Sequence, residues 1–286
     1  LRALAEFILR GRIQAFLVAI AGSLIPLVSS ATVGLVSLSK GSKEGILVFL
    51  WVSLPLLLLQ QMGSENPLLT AVSIASLGLM VVSAAVHSLM ASWQWTLLVI
   101  LLGACLCALS FGVLMASHIS AVITVVQDML LNVVAQQGGQ MDLTITTPLV
   151  LGLIAMTLAF GSIMSLMLAR WWQAMLYNPG GFQKEFHSFS LDLKIAVILI
   201  AIALSGVFWP TGYEFWASLA VLPLLLAGIA LVHFAAKQFS LGNQWLAFLY
   251  AGLILFGKPV TLILVGIGLA DSIIDLRSKL AGYKKP

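Results

Sequence analysis

Residues 149–172 read LVLGLIAMTLAFGSIMSLMLARWW, and this stretch decides the fold. No charged side chain occurs from Leu149 to Ala169, and an α-helix needs about 20 such residues to cross the hydrocarbon core of a bilayer. Arg170, Trp171 and Trp172 follow at once. A cation that reaches headgroup phosphates and rings that favour the membrane–water boundary are what the end of a span requires. The stretch therefore predicts a transmembrane helix that leaves the membrane near Arg170.

The same pattern recurs along the chain. Further apolar runs fall at about 13–38, 45–60, 68–89, 95–116, 192–208, 216–236, 245–256 and 260–276. Trp93, Trp95, Trp171, Trp172, Trp209, Trp216 and Trp245 lie at the ends of runs, and Trp51 alone is interior. Of 286 residues, 61% are hydrophobic and 8% charged, against roughly a quarter charged in a soluble domain. So few charges cannot cover a water-exposed surface of this size, and lipid must solvate most of it. The expected fold is all-α: one polytopic transmembrane bundle of about eight to ten helices over residues 1–286.

Net charge is +4, but the 14 basic residues are dispersed at the ends of runs, which argues against nucleic-acid binding. Cys105 and Cys107, two residues apart on a helix, point in nearly opposite directions and read as small core residues. The basic start, Arg2, Arg10 and Arg12 before an apolar run, reads as an uncleaved first anchor rather than a signal peptide. The 13–38 run carries Pro26, Ser29 and Ser30 near its middle, where a helix can break into two short ones. A broken run places every basic residue except Lys258 on one side, which is then cytoplasmic. An unbroken run would move Lys40 and Lys43 outside and require a crossing near 117–136. Either way both termini face the cytoplasm.

Segment 117–148 stands apart. Ser120, Thr124, Gln127, Asp128, Asn132 and Gln136 recur at helical spacing, giving a polar stripe that leads into a loop at Gln137 to Gln140. It reads as a helix outside the membrane core at the outer interface, or as the lining of a wet cavity.

The densest polar feature is an elbow over 170–194. A helix can carry Arg170, Gln173 and Tyr177 on one face, and Asn178-Pro179-Gly180-Gly181 must stop it. One reading is an interfacial anchor; the other is a docking or ligand surface that includes Glu185 and His187. Near the end, Asp271 falls some 16 Å into a helix starting at Val260, a costly depth for a carboxylate without a partner. Asp275 and Lys279 follow at one-turn intervals and would form an ion-pair ladder, with Arg170 as another partner for Asp271. Gly266 and Gly268 would admit a neighbouring backbone. His87 and His233 lack nearby second ligands, so no metal is expected. No phosphate-binding loop, zinc-protease motif or nucleophile elbow occurs, so neither an ATPase nor a familiar hydrolase is expected, and no cofactor.

Arg2-Ala3-Leu4-Ala5-Glu6-Phe7, Arg170-Trp171-Trp172-Gln173, Tyr177-Asn178-Pro179-Gly180-Gly181-Phe182, Gly268-Leu269-Ala270-Asp271 and Asp275-Leu276-Arg277 together resemble a YybS-like family of bacterial inner-membrane proteins. The similarity covers most of the chain outside about 90–148; Leu276 stands where an aromatic is common. That family is itself distantly similar to the S components of energy-coupling-factor transporters. The resemblance implies a multi-pass inner-membrane protein that binds a small molecule or lipid headgroup between helices, with ATP hydrolysis supplied by other chains. The alternative is a scaffold that docks a protein partner through the cytoplasmic elbow. Candidate ligand or partner residues are Arg170, Gln173, Tyr177, Asn178, Gly180, Gly181, Glu185, Asp271, Asp275 and Arg277.

Overall fold

The computed structural model describes residues 1–25, 27–63, 66–136 and 144–282. Pro26, the Gln137 to Gln140 loop, Lys284 and Lys285 lie outside the described residues, which contain helices and no strands. Helix α1 (Arg2–Arg10) is amphipathic and seats Ala5 and Ile8 in a core shared with Ala169 and Trp172. The first apolar run is broken. Helix α2 (Arg12–Ala21) gives way to a 3-10 turn at Gly22–Leu24, Leu27 takes φ 74°, and α3 (Val28–Lys40) begins. A break in lipid frees backbone groups that must find partners, and Ser165 donates to the carbonyl of Leu27 at 3.3 Å.

Helix α4 (Ser42–Gln61) follows α3, and Arg12 at the start of α2 makes a two-pronged ion pair with Glu44 at 2.6 and 2.8 Å. The α2–α3 hairpin therefore enters and leaves at one face, the basic face. Helix α3 runs through the middle of the protein, with every residue from Ser30 to Ser37 buried. Its hydroxyls are satisfied locally: Thr32 and Ser37 each donate to the carbonyl four residues back at 2.8 Å.

The chain then alternates between faces through α5 (Pro67–Met90), α6 (Trp93–Leu114) and α8 (Thr147–Tyr177). Asn66 and Thr146 cap α5 and α8, accepting from the backbone N–H of Leu68 and Leu149, and each precedes a proline in the first turn. Between α6 and α8 lies α7 (Ala116–Gln136). Ile119 near its start packs with Leu68 and Leu151, at the starts of α5 and α8. The start of α7 thus lies at the same, far face as the start of α8.

The last part comprises α9 (Gly181–Ser188), α10 (Leu193–Ser205), α11 (Glu214–Leu219), α12 (Val221–Gln238), α13 (Asn243–Phe256), α14 (Lys258–Ile274) and α15 (Leu276–Gly282). Among the described residues, six helices or continuous helical segments are long and apolar enough to cross a membrane, rising to eight if the bent pairs α9–α10 and α14–α15 each count as one span. The upper end of the expected eight to ten is not reached, because α2 and α13, with 10 and 14 residues, reach only about 15 and 21 Å. These lengths and compositions make the chain a multi-pass membrane protein.

The closest helix packing is between α12 and α14. A Cβ on Gly228 would strike the carbonyl of Leu264, and one on Gly268 would strike the carbonyl of Leu224. Gly268 thus admits a neighbouring backbone as expected, whereas a Cβ on Gly266 would meet nothing within 4 Å. Gly228→Val should destabilise the protein by about 1–3 kcal/mol, while Gly266→Ala, whose Cβ meets no neighbour, should leave the thermal unfolding temperature in detergent unchanged or raise it slightly.

Candidate functional site

At 31 residues α8 is about 46 Å long, more than the ~30 Å hydrocarbon core, so its last turns project at the basic face. It stops as expected at Asn178 and Pro179, and Gly180 takes φ 81° to reverse the chain into α9. Arg170 pairs with Glu185 at 2.8 Å and donates to Gln173 Oε1 at 3.1 Å. Gln173 in turn donates to the carbonyl of Leu38 at 2.8 Å. The other oxygen of Glu185 lies 3.0 Å from Nε2 of His87, whose Nδ1 is 3.3 Å from Thr96. One network thereby ties α9 to α3, α5, α6 and α8. Beside it, Gln94 Nε2 donates to the Asp192 carboxylate at 2.7 Å, and Gln94 Oε1 accepts from the Asp192 backbone N–H at 2.6 Å.

A second network fastens the other side of α9. Asp271 is buried, with a side chain 2% exposed, and pairs with Arg277. Arg277 also donates to the carbonyls of His187, at 3.0 Å, and Phe189. The expected ladder through Asp275 and Lys279 does not form. Helix α14 ends at Ile274, Asp275 turns left-handed at φ 44°, and α15 leaves at 80°. Asp275 instead accepts from the backbone N–H of Ser278 at 3.3 Å. Nor do Arg170 and Asp271 form an ion pair with each other; each has its own partner.

Between α8, α9, α12 and α13 lies a cavity of about 800 Å³. Its walls are mainly apolar, with Met164, Met167 and Ile229 among them, and Gln183, His187, His233 and Tyr250 supply polar atoms. His233 Nε2 lies 2.8 Å from the hydroxyl of Tyr250, and the rings of His187 and His233 are 6.1 Å apart.

Of the candidate residues, Gly180 lines this cavity. Arg170, Gln173, Glu185, Asp271 and Arg277 bond to one another or to backbone. Tyr177 is 67% exposed and borders a groove with Arg2, Glu6 and Arg10. Asn178 lies against Gly181, where a Cβ would displace it. The two adjacent tryptophans diverge: Trp171 lines the cavity, whereas Trp172 is 1% exposed and belongs to the core rather than to a headgroup belt. Sequence reading overlooked Tyr250 and considered His233 only as a metal ligand. Their signal was available as polar groups within apolar helices. Among the described residues no three His, Cys, Asp or Glu side chains converge to hold a metal.

Comparison with protein-family models, curated proteins and solved structures finds no match to this chain.

Breaking the buried pair leaves an uncompensated charge. Asp271→Leu should destabilise the protein by about 3–5 kcal/mol. Asp271→Leu combined with Arg277→Met should cost clearly less than the two single effects added, as a double-mutant cycle of detergent unfolding would measure.

Proposed function

We propose that this chain is a bacterial inner-membrane subunit that binds an amphipathic small molecule from within the bilayer, in the cavity between α8, α9, α12 and α13. The cavity itself carries the reading. Its volume falls in the range of small-molecule sites, its lining is mainly apolar, and its few polar groups are neutral hydrogen-bonding side chains. Such a site suits a ligand with a long apolar part and a polar end. The resemblance to YybS-like proteins, and through them to S components, agrees with a subunit that binds without a motor of its own.

On this reading Arg170, Glu185, Asp271 and Arg277 are positioning residues. They fix α9, which forms part of the cavity wall. The competing reading, a scaffold that docks a protein through the elbow, loses its main support because those charges satisfy one another internally.

Orientation follows from the basic face. Arg12, Arg170, Lys237 and Arg277 are joined by their contacts to residues of that face, and Lys258 lies at the opposite end of α14. By the positive-inside rule the basic face is cytoplasmic. A cysteine at Lys258 should react with a membrane-impermeant maleimide added outside intact cells, and one at Lys184 should react only after permeabilisation; the reverse pattern rejects this orientation.

Purified wild-type protein should retain an amphipathic molecule in native mass spectrometry. Ile229→Trp, which fills the cavity from α12, should reduce its occupancy about tenfold while shifting thermal unfolding by only a few degrees. Equal occupancy in wild type and variant would reject the cavity as the site.

A further inference from the structure

A second concavity of about 630 Å³ adjoins the first at the basic face. Its lining includes Lys184 from α9, Lys237 from α12, Ser190 from the following turn and Asp275. His187 lines both spaces, and Lys237 donates to Gln183, a residue of the apolar cavity, at 3.3 Å. An apolar volume within the bilayer thus meets a polar, basic one at its cytoplasmic end.

The charges at that end are unevenly matched. Arg277 is neutralised by Asp271, and the Asp275 carboxylate accepts from Ser278. Among the described residues no carboxylate lies within ion-pair distance of Lys184 or Lys237. The positive-inside rule accounts for lysines on this face, but not for two of them, from different helices, bordering one concavity beside an apolar cavity. Ammonium groups with hydroxyl and imidazole donors nearby are the chemistry that recognises a phosphate. Asp275 opposes a further negative charge and favours a single phosphate over a larger anionic group.

We infer that the ligand is a long-chain lipid phosphate, with its hydrocarbon in the apolar cavity and its phosphate between Lys184 and Lys237. This rests on the reading of the apolar cavity as a ligand site and adds the chemical identity of the polar end. Lipid phosphate is preferred to a soluble phosphorylated compound because the basic concavity lies beside an apolar space large enough for a chain, with His187 lining both.

The test uses full-length protein in phosphatidylcholine nanodiscs and two diazirine-bearing probes, a long-chain alkyl phosphate and the matching alcohol. Labelled peptides are mapped by mass spectrometry. The phosphate probe should label α8, α12 and α13 more strongly than the alcohol, and dodecyl phosphate should compete with it. Lys184→Ala with Lys237→Ala, both exposed and neither a member of an ion pair, should cut phosphate-probe labelling about tenfold and leave alcohol labelling unchanged. Unchanged phosphate labelling in that variant overturns the phosphate assignment while leaving the apolar cavity as a site. Competition by inorganic phosphate as effective as that by dodecyl phosphate overturns the lipid assignment. Labelling by both probes that persists in Ile229→Trp overturns the cavity reading itself, and this inference with it.

Discussion

Helix α9 is held by charge, and the rest of the basic face depends on that hold. Eight residues are too few for a helix to be stable alone. Glu185 joins it to Arg170 and His87 on one side, and Arg277 captures the carbonyls of His187 and Phe189 on the other. Both ion pairs are largely withdrawn from water, where losing one partner strands the other at a cost of several kcal/mol. The consequence is geometric. Phe182, Phe186 and His187 are presented to the cavity because α9 is fastened along both flanks.

Lipid imposes the complementary constraint on the remainder. Within the bilayer each polar group needs a partner inside the protein, so most hydroxyls in the spans have bland explanations. Ser53, Ser83 and Thr157 each donate to the carbonyl four residues back. Ser30 and Ser76 meet each other across α3 and α5 at 3.1 Å. His233 and Tyr250 are different. They satisfy each other across α12 and α13 while lining an open volume, and α13 buries none of its described side chains.

Much of this architecture is legible in the sequence because hydropathy reports it directly. The spans, the break in the first run and the elbow at Asn178-Pro179-Gly180 follow from composition and backbone chemistry. What failed to show depends on where helices end and on which faces meet. The ladder through Asp275 and Lys279 assumed that α14 continues, yet Asp275 turns left-handed with no glycine or proline there to announce it. Trp171 and Trp172 have the same residue type and adjacent positions, and only the rotation of α8 sends one to the cavity and the other to the core. Gly228 carried no local signal, since its role appears only when α14 lies across it.

These differences change what a polar residue in a membrane span signifies. Depth alone made Asp271 a functional candidate, because an ionised group in lipid is costly. Arg277 supplies the opposite charge, and the pair then organises backbone on α9 and the turn after it; that cost is met by a structural role. A neutral pair such as His233 and Tyr250 carries a smaller penalty and is easier to overlook, yet it can exchange its mutual hydrogen bond for one to a guest at little net loss. A buried ion pair cannot do so without stranding a charge. Ligand-contacting groups are therefore better sought among the neutral polar residues of the cavity and the exposed lysines beside it than among the ion pairs that hold its walls.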